Sequence, residues 1–390
     1  MSFQDPTPSP SCSSLTSTVY NHPVLIIGTI LTAVYFSWYH FVVVRRPLLY
    51  GGRDRLRDHL LSQCRSLSQP YRPTIWAWHY HGTTIIRPLI QKLLPIQYNR
   101  QMLHLPDGGQ IGLDWAKRAD TIDNTVLLII PGLSGDSSIN YVQHFVQDGL
   151  EAGHICVVFN QRGMGNIPLT SPCMVSANNT RDLEAVIDAI NKSYPNASII
   201  ALGVSLGGII LTNYLHCAGG RSKISSCMTI STPWDVELSR HSVEEKTINR
   251  LLYVNFLLGR LRNVVRKNVT ELAKHPSVNI ERAMNAKTFT EFDDALTAPS
   301  NGYESCEQYY EESCIHDKVK NIQVPFICVM AMDDPFSPTE CIPIDAFESN
   351  PNTVLVLTRH GGHFGFIEGV YPRGRSWMNK VFFEFLLAMK

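Results

Sequence analysis

The chain has 390 residues, 44% of them hydrophobic, and its 34 basic side chains balance 34 acidic ones. That length and apolar content exclude a wholly disordered chain and suit one large α/β domain with insertions. A formal net charge of zero gives no general attraction for nucleic acid, so any electrostatic specificity has to be local. The ten cysteines lack the paired short spacings of a zinc site, and several lie inside apolar runs, which favours a reducing compartment.

Residues 1–22 are rich in Ser, Thr and Pro and hold no lysine or arginine, the composition of a disordered tail. From Pro23 to Val44 no residue is formally charged. About 22 residues at 1.5 Å each span roughly 33 Å, enough to cross a bilayer core, so a transmembrane helix is predicted over 23–44. Tyr35, Trp38 and Tyr39 suit an interfacial belt, and Arg45-Arg46 close the segment. Positive charge falls on its C-terminal side (Arg45, Arg46, Arg53, Arg55, Arg57), which places the large domain in the cytosol. Residues 45–97 read as a juxtamembrane helical connector. Its Trp76, Trp78, His79 and His81 have no acidic or cysteine partner at ligand spacing, so a packing role is expected for them.

From Arg100 onward the pattern is α/β, and 98–390 reads as one domain. Met102 to Leu105 and Ile111 to Trp115 flank Pro106-Asp107-Gly108-Gly109 as a hairpin. Val126 to Ile130 and Ile155 to Phe159 are continuous apolar strands, and Asn179 to Tyr194 has helical periodicity. Ser198 to Leu202 is a further strand, as are Cys227 to Ile230, Phe326 to Met330 and Val354 to Leu357, with a closing helix at Trp377 to Met389. Strands alternating with helices imply a mostly parallel sheet covered on both faces. Residues from about 235 to about 320 break the rhythm with a polar, helical stretch, predicted to be a lid over the strand ends. Within it Leu251, Val254, Leu258, Leu261 and Val265 recur at helical spacing, near Arg250, Arg260, Arg262, Arg266 and Lys267. The stripe is expected to pack on the core, with contact to lipid headgroups as the alternative.

Gly203-Val204-Ser205-Leu206-Gly207-Gly208 sits between a predicted strand and a predicted helix. A sharp strand-to-helix turn of this kind exposes a serine hydroxyl as a nucleophile. Composition alone yields Gly-x-Ser-x-Gly about once in eight such chains, so the serine needs partners. A serine nucleophile requires a base, and the base a group that orients it. After the Phe326 strand comes Asp333-Asp334-Pro335-Phe336-Ser337-Pro338, and after the Val354 strand His360-Gly361-Gly362-His363-Phe364-Gly365. Asp334 is preferred to Asp333 because it heads Asp-x-x-x-Pro, and His363 to His360 because glycines frame it. The oxyanion of an acyl-transfer step needs two N–H donors. Leu206, after the nucleophile, and Leu133, in Pro131-Gly132-Leu133-Ser134-Gly135, are the candidates.

These stretches, together with Asn160-x-Arg162-Gly163-x-Gly165 and Thr288-Phe289-x-Glu291-Phe292-Asp293, resemble the AB hydrolase-4 (YheT-like) family over roughly residues 70–390. With its apolar N-terminal segment, the chain looks most like the family's animal membrane-anchored branch, the α/β-hydrolase domain proteins 1 and 3. The resemblance implies an α/β-hydrolase fold with a helical lid insertion, preceded by one N-terminal transmembrane helix. It further implies a Ser205-His363-Asp334 carboxylic-ester hydrolase acting on glycerophospholipids such as phosphatidylcholine, in the endoplasmic reticulum or another secretory-pathway membrane. No metal, organic cofactor, nucleic acid or protein partner is expected. A catalytically silent binding protein, or an acyltransferase to an alcohol, is the alternative. Pro131 departs from the histidine that hydrolases often place at the start of the oxyanion loop.

Overall fold

The computed structural model describes residues 23–52, 55–119, 121 and 124–389 and divides into two units between Val44 and Arg45. The tail expected over residues 1–22 lies outside the described residues. In the first unit, helix α1 (Pro23–Trp38) continues as a π-helical turn, Tyr39–Val43. The 21 residues from Pro23 to Val43 are long and apolar enough to cross a membrane. Val24, Leu25, Ile27 and Leu31 are all more exposed than buried.

The second unit is built on a nine-stranded sheet: β1 (Leu48–Gly51), β2 (Asn99–His104), β3 (Gln110–Ala116), β4 (Thr125–Ile130), β5 (Ile155–Asn160), β6 (Ser198–Val204), β7 (Ile224–Ile230), β8 (Phe326–Ala331) and β9 (Thr353–Thr358). Their spatial order is β1-β9-β8-β7-β6-β4-β5-β3-β2. β5, β4, β6, β7, β8 and β9 run parallel, while β1, β2 and β3 pair antiparallel at the two ends. The parallel strands are apolar runs because both faces are covered. Along β4, Val126, Leu128 and Ile130 enter one core cluster and Leu127 and Ile129 the other, the alternation that a pleated strand imposes.

Helices α3 (Asn140–Glu151) and α7 (Trp377–Ala388) pack on one face, and α4 (Thr180–Ser193) and α5 (Leu206–Ala218) on the other. Strand order reverses at β4, where β5 lies on one side and β6 on the other, opening a crevice at their C-terminal ends.

The region read as a connector, 45–97, departs from that description. Leu48–Gly51 forms β1 on the edge of the sheet, with Leu48 opposite Leu357, and helix α2 (Tyr80–Ile90) reaches the crevice. A four-residue strand carries no readable period, so only its pairing reveals it.

Between β7 and β8 the chain is mostly helical and builds a third apolar cluster around Val254, Leu258, Leu261 and Val265. These belong to a π-helical turn and helix α6 (Asn255–Lys267). The predicted stripe therefore packs inward, with the exception of Leu251, which is 71% exposed. Two basic residues of this helix also turn inward. Arg260 Nη2 donates to the Ser134 carbonyl at 2.8 Å, and Arg262 donates to the Ala286 carbonyl.

Candidate active site

Ser205 follows β6 and precedes α5 with φ 53° and ψ −119°, a positive-φ conformation that a non-glycine residue rarely takes. Its N–H donates to the Ile230 carbonyl at 2.9 Å, which ties the turn to the end of β7. Close approach explains the glycines here. A Cβ at Gly203 would stand 2.7 Å from the Gly207 carbonyl oxygen, and one at Gly207 would run into the Ile130 carbonyl. The turn is sharp because no side chain occupies those two positions.

Loops at the ends of β8 and β9 bring the other two residues to this serine. His363 Nε2 lies 3.0 Å from Ser205 Oγ, and His363 Nδ1 lies 2.9 Å from Asp334 Oδ2 and 3.0 Å from Oδ1. The Asp334 side chain has no exposed surface and its Oδ1 also accepts the Phe336 N–H at 2.8 Å. With the Nδ1 proton held by the carboxylate, Nε2 is left as the acceptor for the serine hydroxyl. The rings of Phe336 and Phe364 stand 4.4 Å and 4.6 Å from the imidazole and exclude water from it.

Asp333 and His360, the less favoured pair, meet each other instead. Asp333 Oδ2 lies 3.1 Å from His360 Nδ1, and Asp333 Oδ1 accepts the Gly362 N–H at 2.8 Å. Burial pushes the Asp333 carboxyl above its usual range, opposed by these hydrogen bonds. This pair braces the turn that carries His363.

Backbone accounting narrows the choice of oxyanion donors. Pro131 has no N–H; Gly132 donates to the Tyr141 hydroxyl at 3.0 Å and Gly135 to the Gly132 carbonyl at 2.9 Å. Among the described residues the N–H groups of Leu133 and Ser134 have no backbone carbonyl partner, and both residues line the cavity that Ser205 faces. Leu206 opens α5, so its N–H has no carbonyl in the helix to bond.

Helix α2 holds the histidine loop, which the sequence reading missed. Thr83 Oγ1 donates to the Gly361 carbonyl at 3.1 Å, Thr84 Oγ1 accepts the His363 N–H at 2.9 Å, and Arg87 donates to the Phe364 carbonyl. Positions 83, 84 and 87 share a helix face, but nothing local in the sequence announces a partner about 280 residues away. Of the aromatic and histidine cluster around its start, the Trp78 ring stands 5.4 Å from His360, and His81 Nδ1 lies 2.7 Å from the Tyr253 hydroxyl. Burial and the neighbouring His79 hold the His81 pKa below its ordinary value.

Above Ser205 and His363 opens a cavity of about 620 Å³. Ile85 and Leu89 of α2, Ile209 of α5, and Leu252, Phe256 and Leu257 of the helical insertion supply much of its wall. Such a volume suits a lipid-sized or drug-sized ligand, and the apolar lining suits a hydrocarbon chain.

Sheet order, serine turn and following loops together define an α/β-hydrolase. The family model described as alpha/beta hydrolase fold matches residues 125–370, and the chain belongs to that family. Among named relatives it is 35% identical to "Phospholipase ABHD3" of Mus musculus over 371 residues, 94% of this chain and 89% of that protein. This agrees with the animal branch that the sequence motifs resemble. It is 31% identical to "Monoacylglycerol lipase" of Saccharomyces cerevisiae over 388 residues, 95% of this chain and 80% of the relative. A solved structure of Est1E from Butyrivibrio proteoclasticus superposes with a TM-score of 0.48 at 14% identity, covering 74% of this chain and 98% of Est1E.

Proposed function

We propose that this protein is a membrane-anchored serine hydrolase that cleaves the acyl esters of glycerophospholipids, with phosphatidylcholine-type lipids as substrates. The observation that carries the reading is the hydrogen-bonded series Ser205–His363–Asp334 at an apolar cavity. The phospholipase and lipase names of the relatives support an ester of a lipid.

Ser205 Oγ attacks the ester carbonyl while His363 Nε2 takes its proton, and Asp334 stabilises the resulting imidazolium. The carbonyl oxygen gains the negative charge, which the Leu133 and Leu206 N–H groups receive. As the tetrahedral species collapses, the bond to the alkoxy oxygen breaks, and His363 returns the proton to the leaving lysolipid. Water, deprotonated by the same imidazole, then attacks the acyl-serine; the fatty acid leaves and Ser205 regains its hydrogen.

Pro23–Val43 serves as the anchor, keeping the site near esters that already reside in a bilayer. The arginines after it orient the large unit toward the cytosol, on an endoplasmic reticulum or other secretory-pathway membrane. The helices between β7 and β8 act as the lid, and residues 45–390 as the catalytic unit.

Lipid extracts exposed to the full chain and to Ser205→Ala test this reading. Free fatty acid and lysophospholipid are expected to rise only with the unsubstituted protein. Equal release by Ser205→Ala would sink the nucleophile assignment.

A further inference from the structure

One stretch of the cavity wall differs chemically from the rest. Beside the loop that carries Leu133, Arg87, Gln91, Ser134 and Arg260 line the cavity. The buried Arg162 has carboxylates, Asp182 at 2.6 Å and Asp107 at 2.5 Å, whereas Arg262 of the same helical insertion as Arg260 has the Ala286 carbonyl. Arg87 and Arg260 have no such pair among the described residues. Arg87 bonds the Phe364 carbonyl and Asn379 Oδ1, and Arg260 bonds the Ser134 carbonyl. Both cations act electrostatically on the Tyr141 phenol, whose oxygen holds the Gly132 N–H. They therefore lie within electrostatic reach of the same loop.

Three buried polar atoms in this stretch have no partner among the described residues: Arg87 Nε, Gln91 Oε1 and Ser134 Oγ. An unpaired buried cation and unsatisfied polar atoms cost stability unless a ligand completes them. Burial already draws the Arg87 pKa down to about 10, a sign of that cost. The chemistry that completes two guanidiniums and a hydroxyl is a phosphate oxyanion, which accepts several charge-assisted hydrogen bonds at once.

We propose that Arg260, supported by the charge of Arg87 and the Ser134 hydroxyl, forms a phosphate-binding subsite for the phosphodiester of the lipid whose ester is presented to Ser205. Ser134 directly follows Leu133, so the subsite adjoins the expected oxyanion donor. In a glycerophospholipid the ester and the phosphate are borne on the same three-carbon glycerol unit, which suits adjacent groups in the wall. The subsite rests on the ester-hydrolase reading and names the feature of the substrate that the site selects.

The test uses the full chain in mixed micelles with two substrates of the same acyl chains, phosphatidylcholine and diacylglycerol. In Arg260→Gln the ratio of kcat/KM for the phospholipid over the neutral lipid is expected to fall tenfold or more, chiefly through KM. Arg260→Lys, which keeps the charge, is expected to recover part of it. Glycerophosphocholine, which has the phosphodiester and no ester, is expected to inhibit the unsubstituted protein competitively, a measurement that needs no variant to fold. An unchanged ratio, or equal loss on both lipids, would overturn the subsite while leaving the ester-hydrolase reading intact. Inhibition by inorganic phosphate but not by glycerophosphocholine would assign the cations to free phosphate and overturn the lipid occupant. If the unsubstituted protein cleaves neither lipid, the ester-hydrolase reading fails and the subsite with it.

Discussion

The Arg87 guanidinium donates to the carbonyl of Phe364, the residue that follows His363. Phe364 has φ 43°, unfavourable for an aromatic residue, and its own N–H donates to Ser231 Oγ at 2.9 Å. The peptide groups on both sides of Phe364 are thus held by groups from distant parts of the chain. The direction of the imidazole is set from α2, a helix that precedes the first parallel strand in the chain.

Arg87→Gln is expected to lower kcat by roughly 10- to 100-fold, because a displacement of the imidazole of about 1 Å costs that much. It also removes the donor to the Phe364 carbonyl and to Asn379, a loss of about 2–4 kcal/mol in stability. Counting active sites with a fluorophosphonate separates the two effects. A reduced labelled fraction with unchanged kcat per labelled site would mean that Arg87 acts on folding alone.

The two adjacent aspartates are expected to behave differently. Asp334→Asn deprives His363 Nδ1 of its carboxylate, and kcat is expected to drop by roughly 10⁴-fold. Asp333 bonds His360 and the Gly362 N–H, so Asp333→Asn is expected to cost about tenfold or less and to appear mainly as lowered thermal stability. Equal losses in kcat for the two variants would refute the assignment.

Gly207→Ala places a methyl group against the Ile130 carbonyl, a rigid part of β4. A destabilisation of at least about 3 kcal/mol is expected, together with misplacement of Ser205. Thermal unfolding checks the first, and fluorophosphonate labelling of the surviving folded protein checks the second.

Asp293 offers a pH signature in stability. It borders the cavity, accepts the Tyr310 hydroxyl at 2.9 Å, and burial raises its pKa from 3.8 to about 6. Between these values the folded state binds more protons than the unfolded one. This group's contribution is therefore fully favourable at low pH and is lost as pH rises through about 4 to 6. Water in the cavity screens part of the effect, leaving about 1–2 kcal/mol. Asp293→Asn is expected to be more stable than the parent by that amount at neutral pH and to lack the loss. Denaturant midpoints measured on either side of this window decide the point; the same pH dependence in both proteins would exclude Asp293 as its source.

Much of this architecture follows from local pattern. Apolar runs such as Val126 to Ile130 and Ile155 to Phe159 announce strands covered on both faces, and Pro106 to Gly109 announces the hairpin that joins β2 to β3. Gly203 and Gly207 mark the serine turn because only a missing side chain lets β4, β6 and α5 approach so closely. Four-residue β1 has no period to read, and α3 went unread as well although it is 12 residues long. The inward turn of Arg260 was hidden for another reason: periodicity says which face of a helix is apolar, not where a long cationic side chain on its flank will find an acceptor.

Local pattern carries the serine turn and an apolar segment long enough to cross a membrane, since each depends on residues close together, and the order Ser, Asp, His can be read along the chain although 158 positions separate Ser205 from His363. Packing of the folded chain sets which aspartate meets which histidine, brings Thr83, Thr84 and Arg87 to the loop of His363, and puts Arg87 and Arg260 in the lining of one cavity. Those relationships join residues up to 279 positions apart. They arise because parallel strands bring the ends of distant segments to one edge of the sheet, where side-chain reach rather than sequence spacing chooses the partners.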